Sequence, residues 1–232
     1  MEQTWKRNLL AGIVTSCTGL NMLLGLASLL AASRGQMQMA AWCILIAVLS
    51  DGADGYLARK WNVTSDFGVQ LDSLADMTSF NVAGGVLTYF WFSPQVCGYF
   101  AGGAAALYVF MGACRLARFN VGVKRKDEFQ GLATTAAAIL LAVIYLTCPE
   151  IDATLGVVLV ATLALLMVSV FPYPKLVKIL SAPLWLWPLL VAAANFNFHW
   201  TVWACSLAYL ASGPFTQIMR RGRPPEDWEV QH

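Results

Sequence analysis

Residues 49 to 80 read LSDGADGYLARKWNVTSDFGVQLDSLADMTSF, and this stretch places acidic side chains within an otherwise apolar part of the sequence. Five of the chain's eight aspartates fall within it. Asp51 and Asp54 are three residues apart and Asp72 and Asp76 are four apart, so each pair shares one face of a helix. The two pairs can therefore converge when their helices pack side by side.

These carboxylates predict a metal site. A carboxylate near hydrocarbon costs a few kcal/mol and marks a functional site by default, and four of them also repel one another. Hard oxygen ligands suit Mg²⁺ or Mn²⁺, and two such ions a few Å apart can share one carboxylate cluster. The stretch offers neither thiolate nor imidazole, which argues against zinc or copper.

The composition predicts a membrane protein. The chain of 232 residues is 58% hydrophobic and 12% charged, whereas a soluble domain carries about a quarter charged residues. Its apolar residues form blocks of roughly 17 to 25, long enough to cross a bilayer as helices. We therefore predict an all-α, polytopic bundle with about eight transmembrane helices, at least six, in a single domain over residues 1–232. The blocks are Leu9–Ala31, Met39–Leu57, Leu71–Phe92, Gln95–Phe119, Leu132–Cys148, Thr154–Val170, Ile179–Ala194 and Thr201–Met219.

Cationic residues predict the orientation, because they concentrate on cytoplasmic loops. With both termini in the cytoplasm, Arg34 lies outside and the other fourteen of the fifteen Lys and Arg lie inside. This pattern favours an even number of spans and fits a positive face against anionic lipid. Aromatic-interleaved basic patches are absent from the sequence, so nucleic acid is not an expected partner.

Glycine and arginine surround the aspartates. A helical glycine costs roughly 1 kcal/mol relative to alanine, so Gly52, Gly55 and Gly68 suggest a close approach to a ligand or to a neighbouring helix. Arg59 and Lys60 follow the first aspartate pair. They could meet phosphate oxygens or simply anchor the end of a helix, and the spacing favours the phosphate role for Arg59.

The stretch resembles the signature of the CDP-alcohol phosphotransferase family, DxxDGxxARx8GxxxDxxxD, and matches it at every fixed position from Asp51 to Asp76. Within that family the chain is most similar to membrane-embedded phosphatidylserine synthases. The similar text includes Asn21 followed by Gly25, Leu71 to Asp76, Arg115 to Asn120, and Phe129 to Leu132.

The resemblance implies an activity. An alcohol, L-serine in the synthases, attacks the lipid-bearing phosphate of CDP-diacylglycerol and releases CMP. The matching metal ligands are Asp51, Asp54 and Asp72, together with Asp76, which also takes the proton of the acceptor hydroxyl. The family commonly forms homodimers. Residues expected around the nucleotide and its phosphates are Gly52, Ala53, Gly55, Arg59 and Gly68.

Two arginines are candidates for binding the acceptor or the lipid phosphate. Arg115 and Arg118 are three residues apart, so one helix face carries two guanidinium forks for a phosphate or a carboxylate. Snorkelling of the side chains to the headgroup region is the alternative. Asn120 follows on the same segment and is expected to hydrogen-bond nearby.

The acceptor stays open between serine and other alcohols. Ala133-Thr134-Thr135 stands where the synthases usually have prolines, and Val14-Thr15 replaces their usual Pro-Asn pair. Inositol phosphate, glycerol phosphate, choline and ethanolamine are the alternatives. An ion-coupled transporter would also keep intramembrane carboxylates, but the sequence holds no second copy of the signature. An inactive scaffold is disfavoured by the intact carboxylate set. We expect a bacterial or archaeal plasma membrane, with the site facing the cytoplasm.

Overall fold

The computed structural model describes residues 2–121, 129–169 and 171–173, together with the single positions 210 and 212. The chain divides into two compact units. In the first, residues 1–124 and 133–168, lie the helices α1 (Glu2–Ser33), α2 (Met37–Lys60), α3 (Asp66–Asp76), a π-helical segment (Met77–Val82), α4 (Ala83–Phe92), α5 (Gly98–Val121), α6 (Thr134–Thr147) and α7 (Ala153–Val168). In the second, an antiparallel pair joins β1 (Phe129–Gln130) to β2 (Pro172–Tyr173).

The all-helical prediction is confirmed for the described residues, whose extended segments amount to that one short pair. The first six predicted apolar blocks each coincide with a helix or a helical run. The third block begins earlier than predicted, because the helical run opens at Asp66. The predicted blocks Ile179–Ala194 and Thr201–Met219 lie outside the described residues apart from positions 210 and 212.

Within the described ranges, three helices are long and apolar enough to cross a membrane, namely the α1 portion Trp5–Ser33, all of α2 and all of α5. A helix of 24 residues such as α2 or α5 is about 36 Å long, which exceeds a hydrocarbon core of ~30 Å. Large apolar side chains on the outer face of α1 are exposed, including Leu20, Leu23 and Leu30. The chain is a helical membrane protein.

The start of α3 is fixed by a side-chain cap. The Ser65 hydroxyl accepts a hydrogen bond from the backbone N–H of Gly68 at 3.1 Å, which satisfies one of the free donors at a helix N-terminus. Just before it, Asn62 has a φ of 53°, a left-handed conformation that asparagine tolerates better than most residues. This short turn returns the chain from α2 into α3 and brings the second aspartate pair towards the first.

Helices α1 and α2 form an antiparallel hairpin joined by two hydrogen bonds from serine side chains. The Ser50 hydroxyl donates to the carbonyl of Cys17 at 3.0 Å, and the Ser28 hydroxyl donates to the carbonyl of Ala40 at 2.9 Å. Because α3 turns back after α2, it runs in the same direction as α1. The position of Ser50 beside Cys17 puts the first aspartate pair at mid-height on α1.

Glycine lets α1 approach the π-helical segment. A Cβ built at Gly25 would lie 2.6 Å from the Cα of Ser79 and 2.9 Å from its backbone nitrogen. The obstructing atoms are backbone, so a side chain at this position would force the two helices apart. Further along the run, the side chain of Asn81 occupies the space that a Cβ on Gly112 of α5 would need.

Substitution of Gly25 by alanine should destabilise the bundle. The added methyl must push the backbone at Ser79 away, and overpacking of this kind costs about 1–3 kcal/mol. Gly19→Ala is the matched control on the same helix, because nothing lies within 4 Å of its Cβ position. That control should be neutral or should gain up to ~1 kcal/mol of helix propensity. Thermal unfolding in detergent measures both, and equal midpoints would contradict the close contact.

Candidate active site

Three of the predicted aspartates converge. Asp51 of α2 and Asp72 and Asp76 of α3 each place one carboxylate oxygen so that all three oxygens lie within 4.8 Å of one another. Their side chains are half-buried. The carboxyl groups of Asp51 and Asp76 approach within hydrogen-bonding range of each other. Like charges this close are stable only if a proton or a cation lies between them.

Asp54 lies beside this cluster but points partly away from it. It is buried, with 3% of its surface exposed, and its carboxyl group interacts with the Thr18 hydroxyl of α1 and the backbone N–H of Gly55. It is near enough to Asp51 and Asp72 for electrostatic repulsion. The predicted set of four is therefore split, with three oxygens in one cluster and the fourth carboxylate on its α1 side.

The cluster fits a divalent cation. Asp54 Oδ2 and Asp76 Oδ1 are buried and have no hydrogen-bond partner within the described residues. Uncompensated anionic oxygens of this kind are costly away from water. Neighbouring oxygen ligands of one octahedral Mg²⁺ ion stand about 3 Å apart and opposite ones about 4 Å, since each Mg–O bond is about 2.1 Å. The three oxygens, which lie within 4.8 Å of one another, would therefore draw together to hold one ion. Aspartate oxygens alone form the set, which suits Mg²⁺ or Mn²⁺.

The residues predicted for the nucleotide lie on the open side of α2. Gly52, Ala53 and Arg59 are exposed, and nothing lies within 4 Å of a Cβ built at Gly52. The guanidinium of Arg59 folds back over Gly55, with Nη1 3.5 Å from the Cβ position of that glycine. It also attracts the Asp54 carboxylate. A positive charge thus stands next to the carboxylates at the end of α2.

Gly68 leaves room for the side chain that caps α3. A Cβ at this position would lie 3.2 Å from the Ser65 hydroxyl oxygen that caps α3, which is a tight contact. The structure therefore connects Gly68 with the cap of the helix that carries Asp72 and Asp76.

Arg115 is the predicted arginine that reaches the acidic cluster. It lies on α5, near enough to Asp76 for an attractive charge interaction, and its Nη1 donates to the Thr134 hydroxyl at 3.5 Å. Thr134 is the first residue of α6 and is buried. Helices α3, α5 and α6 therefore meet at Arg115, next to the candidate base.

Arg118 and Asn120 make contacts with helices rather than with the cluster. Arg118 Nη1 donates to the carbonyl of Val168 at 3.1 Å, at the last residue of α7, where a cation also complements the helix dipole. Asn120 Nδ2 donates to the hydroxyl of Ser73 at 3.0 Å. Ser73 lies between Asp72 and Asp76, so this hydrogen bond connects the end of α5 to the helical turn that carries two of the clustered carboxylates.

Sequence reasoning did not assign Thr18, Ser73 or Thr134 to the site. Thr18 lies on the buried face of α1, and its contact with Asp54 depends on how α1 packs against α2. Ser73 could have been suspected because it stands between two predicted ligands. Thr134 opens a run of small residues that carries no signal of its own.

An apolar helical bundle that holds clustered carboxylates next to arginines fits a membrane-embedded enzyme with charged substrates. Residues 9–171 match the family model described as CDP-alcohol phosphatidyltransferase. The match covers more than half of the chain, so the chain belongs to the CDP-alcohol phosphatidyltransferase family and is a transferase of phospholipid synthesis. The resemblance in the aspartate stretch is thereby confirmed.

Relatives carry more specific names. A CDP-diacylglycerol–serine O-phosphatidyltransferase of Helicobacter pylori (strain J99) is 36% identical over 170 residues, which cover 70% of this chain and 71% of the relative. A protein of the same name from Methanocaldococcus jannaschii is 36% identical over 159 residues, covering 68% and 71%. The archaetidylserine synthase of Methanothermobacter thermautotrophicus is 34% identical over 163 residues, covering 67% and 66%.

The Ser73–Asn120 pair should show energetic coupling. Ser73→Ala and Asn120→Ala each remove the same hydrogen bond, so the double variant should lose about 0.5–1.5 kcal/mol less stability than the sum of the singles. Reversible unfolding in detergent measures this cycle. Thr162→Ala is the control, since the Thr162 hydroxyl bonds within α7 and its effect should add to that of Ser73→Ala. Additive effects in the Ser73–Asn120 cycle would contradict the contact.

Proposed function

We propose that this chain transfers the phosphatidyl group of CDP-diacylglycerol to the hydroxyl of L-serine, giving phosphatidylserine and CMP. The observation that carries the proposal is the convergence of Asp51, Asp72 and Asp76 within 4.8 Å, with Arg115 beside Asp76. The names of the relatives support serine as the acceptor.

The four carboxylates would hold the metal. Asp51, Asp54, Asp72 and Asp76 would bind Mg²⁺ or Mn²⁺, as two ions sharing the cluster. When bound, the cations supply charge neutralisation for the pyrophosphate oxygens and for the leaving CMP phosphate. The unmet oxygens of Asp54 and Asp76 support this assignment.

Asp76 would act as the general base. The serine hydroxyl oxygen forms a bond to the phosphorus that bears the diacylglycerol, and the bond from that phosphorus to CMP breaks. The hydroxyl proton goes to Asp76, which must stand within roughly 2.6–3.2 Å of it, and CMP leaves with the bonding electrons. Asp76 has the Asp51 carboxyl and the Arg115 guanidinium as neighbours, so the proton moves inside a network of charges.

The nucleotide would lie along the open side of α2. Gly52 and Ala53 present little side chain there, so backbone and phosphate can come close. Gly55 leaves space for the Arg59 side chain, whose guanidinium would pair with a phosphate. Gly68 would contribute through the start of α3.

Arg115 would bind the serine carboxylate. Its contacts to Asp76 and Thr134 place a guanidinium next to the base, which is where the carboxylate of an attacking serine must lie. Choline and ethanolamine carry no carboxylate, and inositol phosphate or glycerol phosphate would bring a dianion that needs several cations. We assign supporting roles to Arg118 and Asn120, since their described contacts are to α7 and α3.

The site would face the cytoplasm. Lys6 and Arg7 start α1 while Arg59 and Lys60 end α2, and these ends of an antiparallel hairpin lie on one side of the membrane. Arg34 lies at the opposite end of the hairpin. The positive-inside rule then puts the carboxylates towards the cytoplasm. We further propose eight spans, cytoplasmic termini, one domain over residues 1–232, a bacterial or archaeal plasma membrane and a homodimer.

Removal of a cluster charge should nearly abolish CMP release. Asparagine keeps the shape of aspartate but binds Mg²⁺ poorly. Losing a residue that only hydrogen-bonds to a metal ligand typically lowers activity ~10- to 100-fold. Asp51→Asn, Asp72→Asn or Asp76→Asn should lower it by more than that. Asp66→Asn is the control, because this aspartate lies exposed in the first turn of the same helix and should keep activity. Purified protein, CDP-diacylglycerol, labelled serine and Mn²⁺ make up the assay, and full activity of Asp72→Asn would remove the metal-site assignment.

The two arginines should respond differently to lysine. A guanidinium that grips a carboxylate in two places cannot be replaced by a point charge, so Arg115→Lys should raise the apparent KM for serine, by tenfold for each ~1.4 kcal/mol of lost binding. Arg118→Lys should leave KM unchanged, because lysine can still donate to the Val168 carbonyl. Steady-state kinetics at saturating CDP-diacylglycerol measures both. An unchanged serine KM in Arg115→Lys would return this residue to a purely electrostatic role beside Asp76.

A further inference from the structure

Asn21 of α1 has a buried amide whose hydrogen bonds are unmet. The residue is 0% exposed, and neither Nδ2 nor Oδ1 has a hydrogen-bond partner in the part of the chain that the structure describes. The other polar residues on this face are satisfied, since Thr18 donates to the Val14 carbonyl and Ser28 donates to the Ala40 carbonyl. A buried polar group without a partner is destabilising. A ligand that hydrogen-bonds to both atoms of the amide would remove this cost.

The contacts around Asn21 place it beside the acidic cluster. Three residues before it, Thr18 meets the carboxyl group of Asp54 on α2. Four residues after it, Gly25 meets Ser79 in the π-helical segment. Helices α1 and α3 run in the same direction. Asn21 lies one turn before Gly25, and Asp76 lies about one turn before Ser79. Because Gly25 and Ser79 touch, Asn21 and Asp76 lie at about the same height. Asn21 therefore lies on the face of α1 whose neighbouring residues Thr18 and Gly25 contact Asp54 and Ser79.

The chemistry of the amide distinguishes the metal ion, the phosphates and the acceptor from one another. Its oxygen only accepts hydrogen bonds and its nitrogen only donates them. A metal ion could satisfy the oxygen but not the nitrogen, and an ionised phosphate could satisfy the nitrogen but not the oxygen. An acceptor alcohol that carries both an ammonium and a carboxylate satisfies both atoms at once, and these two groups sit on one carbon in an amino acid.

We propose that Asn21 is an acceptor-binding residue, with Oδ1 accepting from the ammonium and Nδ2 donating to the carboxylate of the amino-acid alcohol. This inference rests on the proposed transfer to serine and adds a determinant of acceptor choice. Ethanolamine offers the ammonium without the carboxylate, and choline offers neither an N–H nor a carboxylate. Asn21 thus selects an amino acid over the simple amino alcohols, while Arg115 holds the other side of the carboxylate.

The test compares Asn21→Leu with Ser28→Ala. Leucine has the branched shape of asparagine and lacks its polar atoms, but it is larger, so Asn21→Ala is measured beside it to separate loss of the amide from overpacking. In both variants we expect the serine KM to rise about tenfold or more, as for one lost pair of hydrogen bonds. The KM for CDP-diacylglycerol and the Mn²⁺ concentration for half-activation should stay unchanged. Ser28→Ala, two turns further along the same face, should leave the serine KM unchanged.

A binding measurement gives a readout independent of turnover. Serine added with CDP and Mn²⁺ should raise the unfolding midpoint of the wild-type protein and of Ser28→Ala, and should do so much less in Asn21→Leu. Asn21→Ala serves the same purpose if the leucine variant does not fold. A shift in the Mn²⁺ or CDP-diacylglycerol constants instead of the serine KM would overturn the proposal, as would a lower midpoint with all constants unchanged.

Failure of the proposed function is distinguishable from failure of this inference. If the wild-type protein releases CMP with a different acceptor and not with serine, the serine assignment fails. The KM for that acceptor is then compared between the wild-type protein and Asn21→Leu, and this comparison tests the role of Asn21 separately. The metal dependence of both proteins is measured alongside. An unchanged acceptor KM in Asn21→Leu, with an active wild type, overturns the role of Asn21 alone.

Discussion

Mutual repulsion among the carboxylates is the constraint on which the rest of the bundle depends. Three anionic oxygens lie within 4.8 Å of one another, and charges at such distances interact strongly where water is scarce. The described surroundings offset part of this repulsion, with Arg115 next to Asp76 and Arg59 next to Asp54. The remaining repulsion is what a bound divalent cation would offset, in keeping with the proposed metal site.

The packing of the helices keeps the charges at these distances. Glycine at position 25 lets α1 touch the segment that follows Asp76, and Asn120 holds the turn between Asp72 and Asp76 from the α5 side. The π-helical segment starts at Met77, immediately after Asp76. A π turn adds a residue to the helical repeat and occurs frequently at functional sites. Within this segment Ser79 meets α1, while Asn81 on the opposite face meets Gly112 of α5.

Much of this site could be predicted from the sequence because helical spacing determines which side chains share a face. The pairs Asp51–Asp54 and Asp72–Asp76 followed from that spacing alone, and the apolar blocks located the helices that carry them. Spacing could not separate Arg115 from Arg118, since both lie on one face of α5 and their roles depend on which helices come alongside. The approach of α7 gives Arg118 a carbonyl partner, and the approach of α3 gives Arg115 an acid.

Asn21 illustrates the same limit and suggests that different helices contribute the charged and the neutral groups of the site. The sequence marks Asn21 only by its spacing to Gly25, whereas tertiary packing shows that its amide is buried without a hydrogen-bond partner among the described residues. The carboxylates stand on α2 and α3, whereas α1 contributes the neutral amide of Asn21. In the proposed assignment, acceptor choice depends on α1 and can change without altering the charge of the carboxylate cluster.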